Sequence, residues 1–200
     1  MNDKFGDGRD PYFYPGIQVL RNKLDIHESA GLREAELALT PLRAATVELG
    51  APNMGLPWLC AIHRTLFQDI YEWAGQLRTV DIYQNETRYC HFSYLEKEGN
   101  AVMQRLEDED YLRGLALDEI CPRLGHYYAD INMLHPFREG NGRAQRIFFE
   151  QLIIHAGFDA RWEPIEREEW INANEAGAFG DSAPLAAIFA RVVSEPGEQP

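Results

Sequence analysis

Cysteine is scarce in this sequence, and long apolar runs are missing. Among its 200 residues are three cysteines, Cys60, Cys90 and Cys121, which form neither a CxxC pair nor a pattern of zinc ligands. We therefore expect no disulfide framework and no structural zinc site, but small core residues in a reducing compartment. No stretch approaches the ~18 consecutive apolar residues of a membrane span, and the N-terminal segment lacks the apolar core of a signal peptide. These absences predict a cytoplasmic protein without a membrane partner.

Positive charge is also in short supply. The chain has 19 Lys and Arg against 32 Asp and Glu, a net charge of −13. Sequence-independent binding of nucleic acid needs a basic face, so we expect no direct nucleic-acid partner. A nucleotide site is compatible with this charge, because a few arginines and a helix N-terminus can hold phosphates inside an acidic protein. The hydrophobic content of 45% is that of an ordinary globular domain.

Most of the chain has helical periodicity. We predict an extended Gly- and Pro-rich arm over residues 1–16, a single domain over 17–193 and a flexible tail over 194–200. Four leucines recur at three- or seven-residue steps and predict one helix face: Leu32, Leu39, Leu42 and Leu49. Thr40-Pro41 resembles an N-cap and a first-turn proline, which predicts two helices in this stretch. A further helix is expected to run to Gly75, and others follow from residue 96 onward.

Residues 78–92 break the helical pattern. β-Branched and aromatic residues alternate there with polar ones, and residues 84–87 have the composition of a turn. An isolated hairpin is only marginally stable, so we expect this one to pack against helices. The sequence therefore predicts a mainly α fold with one short β-hairpin.

The segment 135–146, HPFREGNGRAQR, concentrates the chemically active residues. Gly140, Asn141 and Gly142 allow backbone torsions that turn successive N–H groups toward an anion. They precede a predicted helix, whose first N–H groups and dipole would add to this nest. Arg143 and Arg146 are one turn apart, which predicts both guanidinium groups on one side. The pattern indicates a site for two or more phosphates.

Two further side chains of this segment suit phosphate chemistry. Glu139 lies at the mouth of the nest, and Mg²⁺ binds through one or two carboxylates together with substrate phosphates. His135 precedes the loop, and an imidazole can accept a proton from an attacking hydroxyl near neutral pH. The residues alone indicate metal-assisted phosphoryl or nucleotidyl transfer.

The same segment resembles the signature of the Fic family, HxFx(D/E)GNGRxxR, at every fixed position. Residues 62–75 and the early Asp10-Pro11-Tyr12 are also similar to this family, so the resemblance covers nearly the full chain. It points to the compact bacterial toxins of the FicT type. The resemblance implies a single Fic/Fido-type helical domain, with the hairpin as a flap beside the active-site loop.

The resemblance further implies protein adenylylation, in which AMP moves from ATP to a hydroxyl of a target protein and pyrophosphate is released. By position, His135 is the general base and Glu139 holds Mg²⁺. The phosphates are held by Gly140, Asn141 and Gly142, by Arg143 on the β-phosphate side and by Arg146 on the γ-phosphate side.

Two weaker assignments have structural alternatives. Val80, Asp81 and Ile82 are expected to form the flap edge that pairs with a target segment by β-augmentation, unless the hairpin only covers the core. Asn174 stands where members of the family contact adenine, but an Asn near a helix end is also a common cap.

The partners are implied by the resemblance alone. Toxins of the FicT type suggest the ATPase subunits of gyrase and topoisomerase IV as targets. Fic enzymes are restrained by a motif (S/T)xxxE(G/N), whose glutamate would pair with Arg146. The near matches after Ser93 and Ser194 fail by spacing or by a helix-breaking Pro-Gly pair. We therefore expect a small separate antitoxin to supply the glutamate.

Two other functions remain open from the sequence. Relatives that transfer phosphate carry a lysine where Gly142 stands here, so this glycine favours adenylyl transfer. A non-catalytic nucleotide-binding regulator would have no use for a base, so His135 speaks against it.

Overall fold

The structure, a computed structural model, describes residues 10–50, 54–84, 87–162 and 165–197. Within these residues the helices are α1 (Ser29–Ala44), α2 (Leu56–Phe67), α3 (Leu95–Asp108), α4 (Leu117–Leu134), α5 (Asn141–His155), α6 (Arg167–Ala178) and α7 (Ala183–Val192). The strands are β1 (Tyr83–Gln84), β2 (Thr87–Arg88), β3 (Asp159–Ala160) and β4 (Val193–Ser194). The prediction of a mainly helical domain with a short hairpin is confirmed.

Helix α4 lies at the centre of the core, and α3, α5, α6 and α7 all pack against it. Its apolar residues recur at helical spacing and are almost fully buried, among them Ile120, Leu124 and Ile131. Gly125 brings α7 close, since a Cβ at this position would lie 2.6 Å from the backbone nitrogen of Ala186. Helix α4 is therefore packed closely against its neighbours, and its C-terminal end leads into segment 135–146.

The N-terminal third departs from the predicted helices. The first helix begins only at Ser29. Residues 17–28 before it contain turns, and Leu20 forms an isolated β-bridge with Phe13. Thr40 and Pro41 do not start a second helix, because the Thr40 hydroxyl donates to the Glu36 carbonyl and Pro41 falls in the last turn of α1. Since Pro41 has no N–H and α1 ends three residues later, it lies close to the end of this helix and does not begin a new one. The predicted leucine face is wrong in part, since Leu42 and Leu49 are exposed.

The second helix is shorter than predicted. It ends at Phe67, and the chain continues to Gly75 through turns that still bury Ile70 and Trp73. Apolar spacing is kept there without helical geometry, which periodicity alone does not distinguish.

The hairpin is confirmed, but its ladder is short. Strands β1 and β2 are antiparallel, with Tyr83 opposite Arg88 and Gln84 opposite Thr87. Gln84 and Thr87 were expected in the turn and belong to the strands instead, while the rest of the predicted turn, residues 85–86, lies outside the described residues.

The C-terminal segment is also more structured than expected. Ser194 was predicted to begin a flexible tail, but β4 pairs with β3 and places Ser194 opposite Asp159. Residues 198–200, and residues 1–9 of the predicted arm, lie outside the described residues. Across the described helices, none is both long and apolar enough to cross a membrane, and the three cysteines are unbridged.

Candidate active site

His135 caps the C-terminal end of α4. Its backbone is in the left-handed region, with φ +45° and ψ +59°, and its side chain is 7% exposed. The imidazole stacks on the Tyr89 ring at a centroid distance of 3.9 Å. Its Nδ1 is buried and has no hydrogen-bond partner among the described residues. Because Nδ1 has no exposed surface, the ring nitrogen that would accept a proton from a hydroxyl bound in the cavity is Nε2.

Burial and two nearby arginines keep this imidazole neutral. Burial, first, and then the positive charges of Arg78 and Arg138 lower the pKa of His135 to about 3, while the Asn132 carbonyl opposes this shift. Since the uncharged ring is the form that accepts a proton, His135 is in the state required of a base throughout the physiological range.

The loop that follows is fixed from within by Asn141. Its side chain accepts a hydrogen bond from the Phe137 N–H at 2.8 Å and donates to the Phe137 carbonyl at 2.7 Å. The Asn141 side chain is therefore occupied by the loop, and its contribution to an anion nest is its backbone N–H.

His63 of α2 supports the same loop from below. Its Nδ1 accepts the Gly75 N–H at 2.8 Å, so its Nε2 must carry the proton that is donated to the Glu139 carbonyl at 2.9 Å. Its ring stacks on Phe137 at 3.8 Å, and burial lowers the pKa of His63 to about 4. The sequence pattern did not predict a role for His63 at the site. The only feature of the sequence that could have indicated this contact with the motif is the position of His63 on the apolar face of a predicted helix.

The phosphate cradle is built by two glycines with different roles. Gly140 has φ +82°, and a Cβ there would lie 2.3 Å from the Phe67 ring, so this position requires glycine. At Gly142 a Cβ would meet nothing within 4 Å, and Gly142 lines the cavity that contains His135. The backbone N–H groups of Asn141, Gly142 and Arg143 form the first turn of α5, where a helix leaves such donors without an internal acceptor. The predicted nest is therefore present as geometry.

Glu139 offers one carboxylate at the edge of this cradle. One oxygen accepts the Gly140 N–H at 2.9 Å and lies 3.5 Å from the Arg143 guanidinium, and the side chain is one-third exposed. Among the described residues no group of three His, Cys, Asp or Glu could hold a metal by itself. A single hard oxygen beside an anion nest fits Mg²⁺ that takes its other ligands from phosphates and water.

The two motif arginines point to different neighbours. Arg143 bonds to the Glu36 carboxylate of α1 at 2.5 Å and lies over the Phe67 ring at 4.6 Å. Tyr71 donates to the other oxygen of Glu36 and so holds this carboxylate in place. The predicted common side is therefore wrong for Arg143, because Glu36 and Phe67 draw it toward α1 and α2. Neither contact is visible in the sequence, where Glu36 is one of several acids in a helix.

Arg146 instead lies against two tryptophans. Its guanidinium is 5.2 Å from the Trp162 ring centre and 5.5 Å from that of Trp170, an arrangement that stabilises a cation on aromatic faces. Within the described part of the chain, no carboxylate is within 4.0 Å of this guanidinium. Its charge is thus available to an anion that enters beside Trp170.

A cavity joins these groups. Its lining includes His135, Gly142, Tyr89, Trp170 and Asn174. Asn174 donates its amide to the Trp170 carbonyl at 2.8 Å within α6, and its side chain still borders the cavity. The structure thus brings the predicted base, Gly142 of the nest and the predicted adenine residue to one space, whereas Glu139 lines a neighbouring cavity.

The predicted flap edge lies just before β1. The carbonyls of Val80 and Ile82 accept hydrogen bonds from Arg78 and from the Tyr89 N–H, at 2.6 Å and 3.3 Å. Asp81, between them, accepts the Phe92 N–H, forms an ion pair with Arg88 at 3.5 Å and lies 3.5 Å from the His91 Nε2. Ile82 is buried against the core, so its side chain is not part of any docking face.

Known proteins resemble this chain over almost its full length. The profile of the Fic/DOC family matches residues 54–153. Two curated relatives bear the name "Probable protein adenylyltransferase Fic". The protein of Salmonella typhimurium is 60% identical, with 98% of each chain covered. That of Escherichia coli is 59% identical, with 99% of each chain covered.

A solved structure agrees with these relatives. The Bartonella tribocorum effector BepC, crystallised with bound AMPPNP, superposes with a TM-score of 0.88 at 26% identity, covering 94% of this chain and 99% of that one. The match over half of the chain, the high identity to full-length relatives and the nest beside His135 lead to one conclusion: the chain belongs to the Fic/DOC family, among its protein adenylyltransferases.

Proposed function

We propose that this Fic protein transfers AMP from ATP to a hydroxyl side chain of a target protein. The observation that carries the proposal is that His135 and the cradle glycine Gly142 line one cavity. A base and a phosphate nest that share one space can bring an attacking hydroxyl and the α-phosphate together. The bound AMPPNP of BepC supports ATP as the nucleotide.

The reaction follows from the roles of the residues. The target oxygen attacks the α-phosphorus, its proton passes to Nε2 of the His135 imidazole, and the bond from the α-phosphorus to the bridging oxygen of the β-phosphate breaks to release pyrophosphate. The N–H groups of Asn141, Gly142 and Arg143 stabilise charge on the phosphates without having to move. Glu139 would hold Mg²⁺ together with phosphate oxygens, and the ion would supply positive charge beside the phosphates.

We assign the two ends of ATP from the lining of the cavity. Trp170 and Asn174 border its α6 side and provide an aromatic edge and an amide for adenine. Arg146, beside Trp170, and Arg143, near Glu139, are the cations for the phosphates. Arg143 reaches a phosphate only when it leaves Glu36, so the assignment of Arg143 to the β-phosphate requires that ion pair to open.

The flap docks the target through its backbone. The carbonyls of Val80 and Ile82 are occupied by Arg78 and Tyr89, so we assign the pairing with a target segment to the backbone of Asp81 between them. A target segment that pairs with this edge would be held beside His135, which stacks on Tyr89 of the same hairpin.

The biological role that we propose is that of a cytoplasmic toxin. The resemblance to FicT proteins suggests the ATPase subunits of gyrase and topoisomerase IV as its targets. A separate antitoxin would restrain it by placing a glutamate on Arg146, whose guanidinium meets only aromatic rings in the described ion-pair and ring contacts. An Arg–carboxylate pair is bidentate and selective, which suits a competitor of phosphate.

Transfer of a different group is the alternative that the site disfavours. Transfer of phosphate is associated with a lysine in place of Gly142, and Gly142 here leaves open space in the cavity. A regulator that only binds nucleotide would not need a neutral imidazole in the lining of this cavity.

Labelled nucleotide tests the reaction and the target together. The purified chain is incubated with ATP labelled at the α-phosphate, Mg²⁺ and either a bacterial lysate or the purified ATPase subunits of gyrase and topoisomerase IV. We expect labelled protein whose mass rises by one AMP group, and no label with His135→Ala. Label from γ-labelled ATP would instead indicate phosphate transfer. A labelled lysate with unlabelled topoisomerase subunits would contradict the target and leave the reaction standing.

Growth tests the toxin role separately. Expression of the chain alone should slow bacterial growth, and His135→Ala should relieve the effect. Normal growth with the active wild-type chain would contradict the toxin role, while an inactive wild-type chain without a bound partner would indicate an internal inhibitor.

A further inference from the structure

Arg78 is a fully buried arginine directly beside the candidate base. Its Nε donates to the His135 carbonyl at 2.7 Å, and one of its terminal nitrogens donates to the Leu134 carbonyl at 3.2 Å. Its backbone N–H also donates to the Pro136 carbonyl at 2.9 Å. The side chain has no exposed surface. One residue therefore binds three consecutive carbonyls where α4 ends and the motif begins.

The same guanidinium also binds both sides of the hairpin. One terminal nitrogen donates to the Val80 carbonyl at 2.6 Å, and the other donates to the Cys90 carbonyl. Val80 precedes β1 and Cys90 follows β2. Arg78 thus connects the two ends of the flap to the backbone of His135.

The position of His135 needs such support. A non-glycine residue in the left-handed region is strained by roughly 1–2 kcal/mol. The last carbonyls of a helix have no internal donor, and a cation placed at a helix C-terminus is favourable. Arg78 supplies donors and positive charge to the Leu134 and His135 carbonyls at once. Burial of an arginine is costly unless all its donors are used, and here the fork matches four carbonyl groups.

We propose that Arg78 is a positioning residue that holds His135 in register with the flap, so that a target docked on the hairpin presents its hydroxyl to the base. This inference rests on the proposed role of His135 as the base. It goes beyond the family motif, because Arg78 lies 57 residues before His135 and outside segment 135–146.

Arg78 also acts on His135 through its charge. The charged groups that act on the imidazole are Arg78, before the hairpin, and Arg138, in the motif loop, and both lower the pKa of His135. Glu175 of α6 lines the same cavity, and Tyr89 covers one ring face. Loss of the Arg78 charge should therefore raise the pKa of His135. Loss of the guanidinium hydrogen bonds with the charge kept should not raise it.

Two substitutions separate the effect of the guanidinium hydrogen bonds of Arg78 from the effect of its charge. Arg78→Lys keeps a positive charge but offers at most three donors from one nitrogen, and Arg78→Met removes charge and donors at similar volume. Initial rates of AMP incorporation into the proteins that the wild-type chain labels are measured from pH 8 down to about pH 3, so that the range includes the acid limb of the wild-type chain. The affinity for AMPPNP and the thermal midpoint are measured for each variant. Arg123→Met is the control. Arg123 lies on α4, about 18 Å along the helix axis from His135, and its side chain binds Glu109.

We expect both Arg78 variants to lose transfer by on the order of 10²-fold in kcat, since a displacement of about 1 Å at a reacting group has that effect. AMPPNP affinity should stay within about twofold, because Arg78 does not line the phosphate nest. For Arg78→Met, kcat/KM should in addition begin to fall at a higher pH than in the wild-type chain. Arg78→Lys should keep the wild-type pH profile. Arg123→Met should match the wild-type chain in kcat and pH profile.

A folded Arg78→Lys variant with wild-type kcat would overturn the positioning role, and an unmoved acid limb in Arg78→Met would overturn the charge effect. If Arg78→Met does not fold, the Lys variant tests positioning. The ¹⁵N chemical shifts of His135 in the wild-type chain test whether its pKa is lowered. They should remain those of a neutral ring from pH 8 to 5. A titration of the ring near pH 6.5 would contradict the effect of the Arg78 charge on His135. If the wild-type chain itself transfers no AMP, the proposed function fails, and the inference about Arg78 fails with it.

Discussion

The Glu36 carboxylate accepts a hydrogen bond from Arg143 at 2.5 Å, although 107 residues separate them in the chain. Arg143 is thus neutralised by a residue of α1, and Tyr71 holds the Glu36 carboxylate in place. Glu36 belongs to no (S/T)xxxE(G/N) motif, and it pairs with Arg143 and not with Arg146. An internal acid therefore competes for one of the two phosphate-binding arginines.

Replacement of this acid should strengthen nucleotide binding. Glu36→Gln keeps an acceptor for Tyr71 but removes the charge that neutralises Arg143. We expect AMPPNP to bind about fivefold more tightly, since a partly exposed ion pair contributes about 1 kcal/mol. Isothermal titration calorimetry measures this change, and Glu34→Gln, on the exposed face of the same helix, is the control. Weaker binding would mean that Glu36 holds Arg143 in its binding position.

Loss of the base should separate catalysis from binding. His135→Ala should lower AMP transfer by 10²–10⁴-fold, the range that a positioned base contributes. AMPPNP affinity should be unchanged, because the nest and the arginines hold the phosphates. His126→Ala removes a half-exposed histidine from the same helix α4 and should leave the rate unchanged. A similar rate in His135→Ala and the wild-type chain would remove His135 from the mechanism.

Mg²⁺ dependence tests Glu139. Glu139→Gln retains an oxygen for the Gly140 N–H but lacks the charged ligand. We expect a low residual rate that no longer responds to Mg²⁺ between 0 and saturating concentration, because only phosphates and water would remain as ligands. The rate is measured against added MgCl₂ for both chains. An unchanged Mg²⁺ response would exclude Glu139 as a ligand.

The two cradle glycines should respond in opposite ways. Gly140→Ala should destabilise the fold by about 2 kcal/mol or more, because its φ is +82° and its Cβ would meet the Phe67 ring at 2.3 Å. Gly142→Ala, in the first turn of α5, should leave stability unchanged or slightly raised, but its methyl group enters the cavity and should weaken AMPPNP binding. Urea unfolding and calorimetry distinguish the two. Equal stability of Gly140→Ala and the wild-type chain would contradict the packing argument.

The helices after residue 95 follow from the sequence, and those before it only in part. From Leu95 to Val192 the apolar residues face the core around α4 and repeat at 3.6-residue spacing, so pattern and structure agree. Between Gly16 and Gly75 the same spacing also occurs in turns and on an exposed face, as at Ile70 and Leu42. Periodicity reports burial or amphipathicity, and it does not report whether the backbone is helical.

The sequence by itself determined the chemistry of segment 135–146, because a contiguous motif carries its own geometry. The torsions that Gly140 allows, the start of α5 and the spacing of His135 and Glu139 from it are all local. Tertiary structure alone decided what those groups meet: Glu36 on Arg143, Trp162 and Trp170 on Arg146, and Arg78 on His135. Each of these contacts joins residues that are far apart in the chain or on different elements. Such contacts depend on how the helices pack, and no local pattern of residues encodes them.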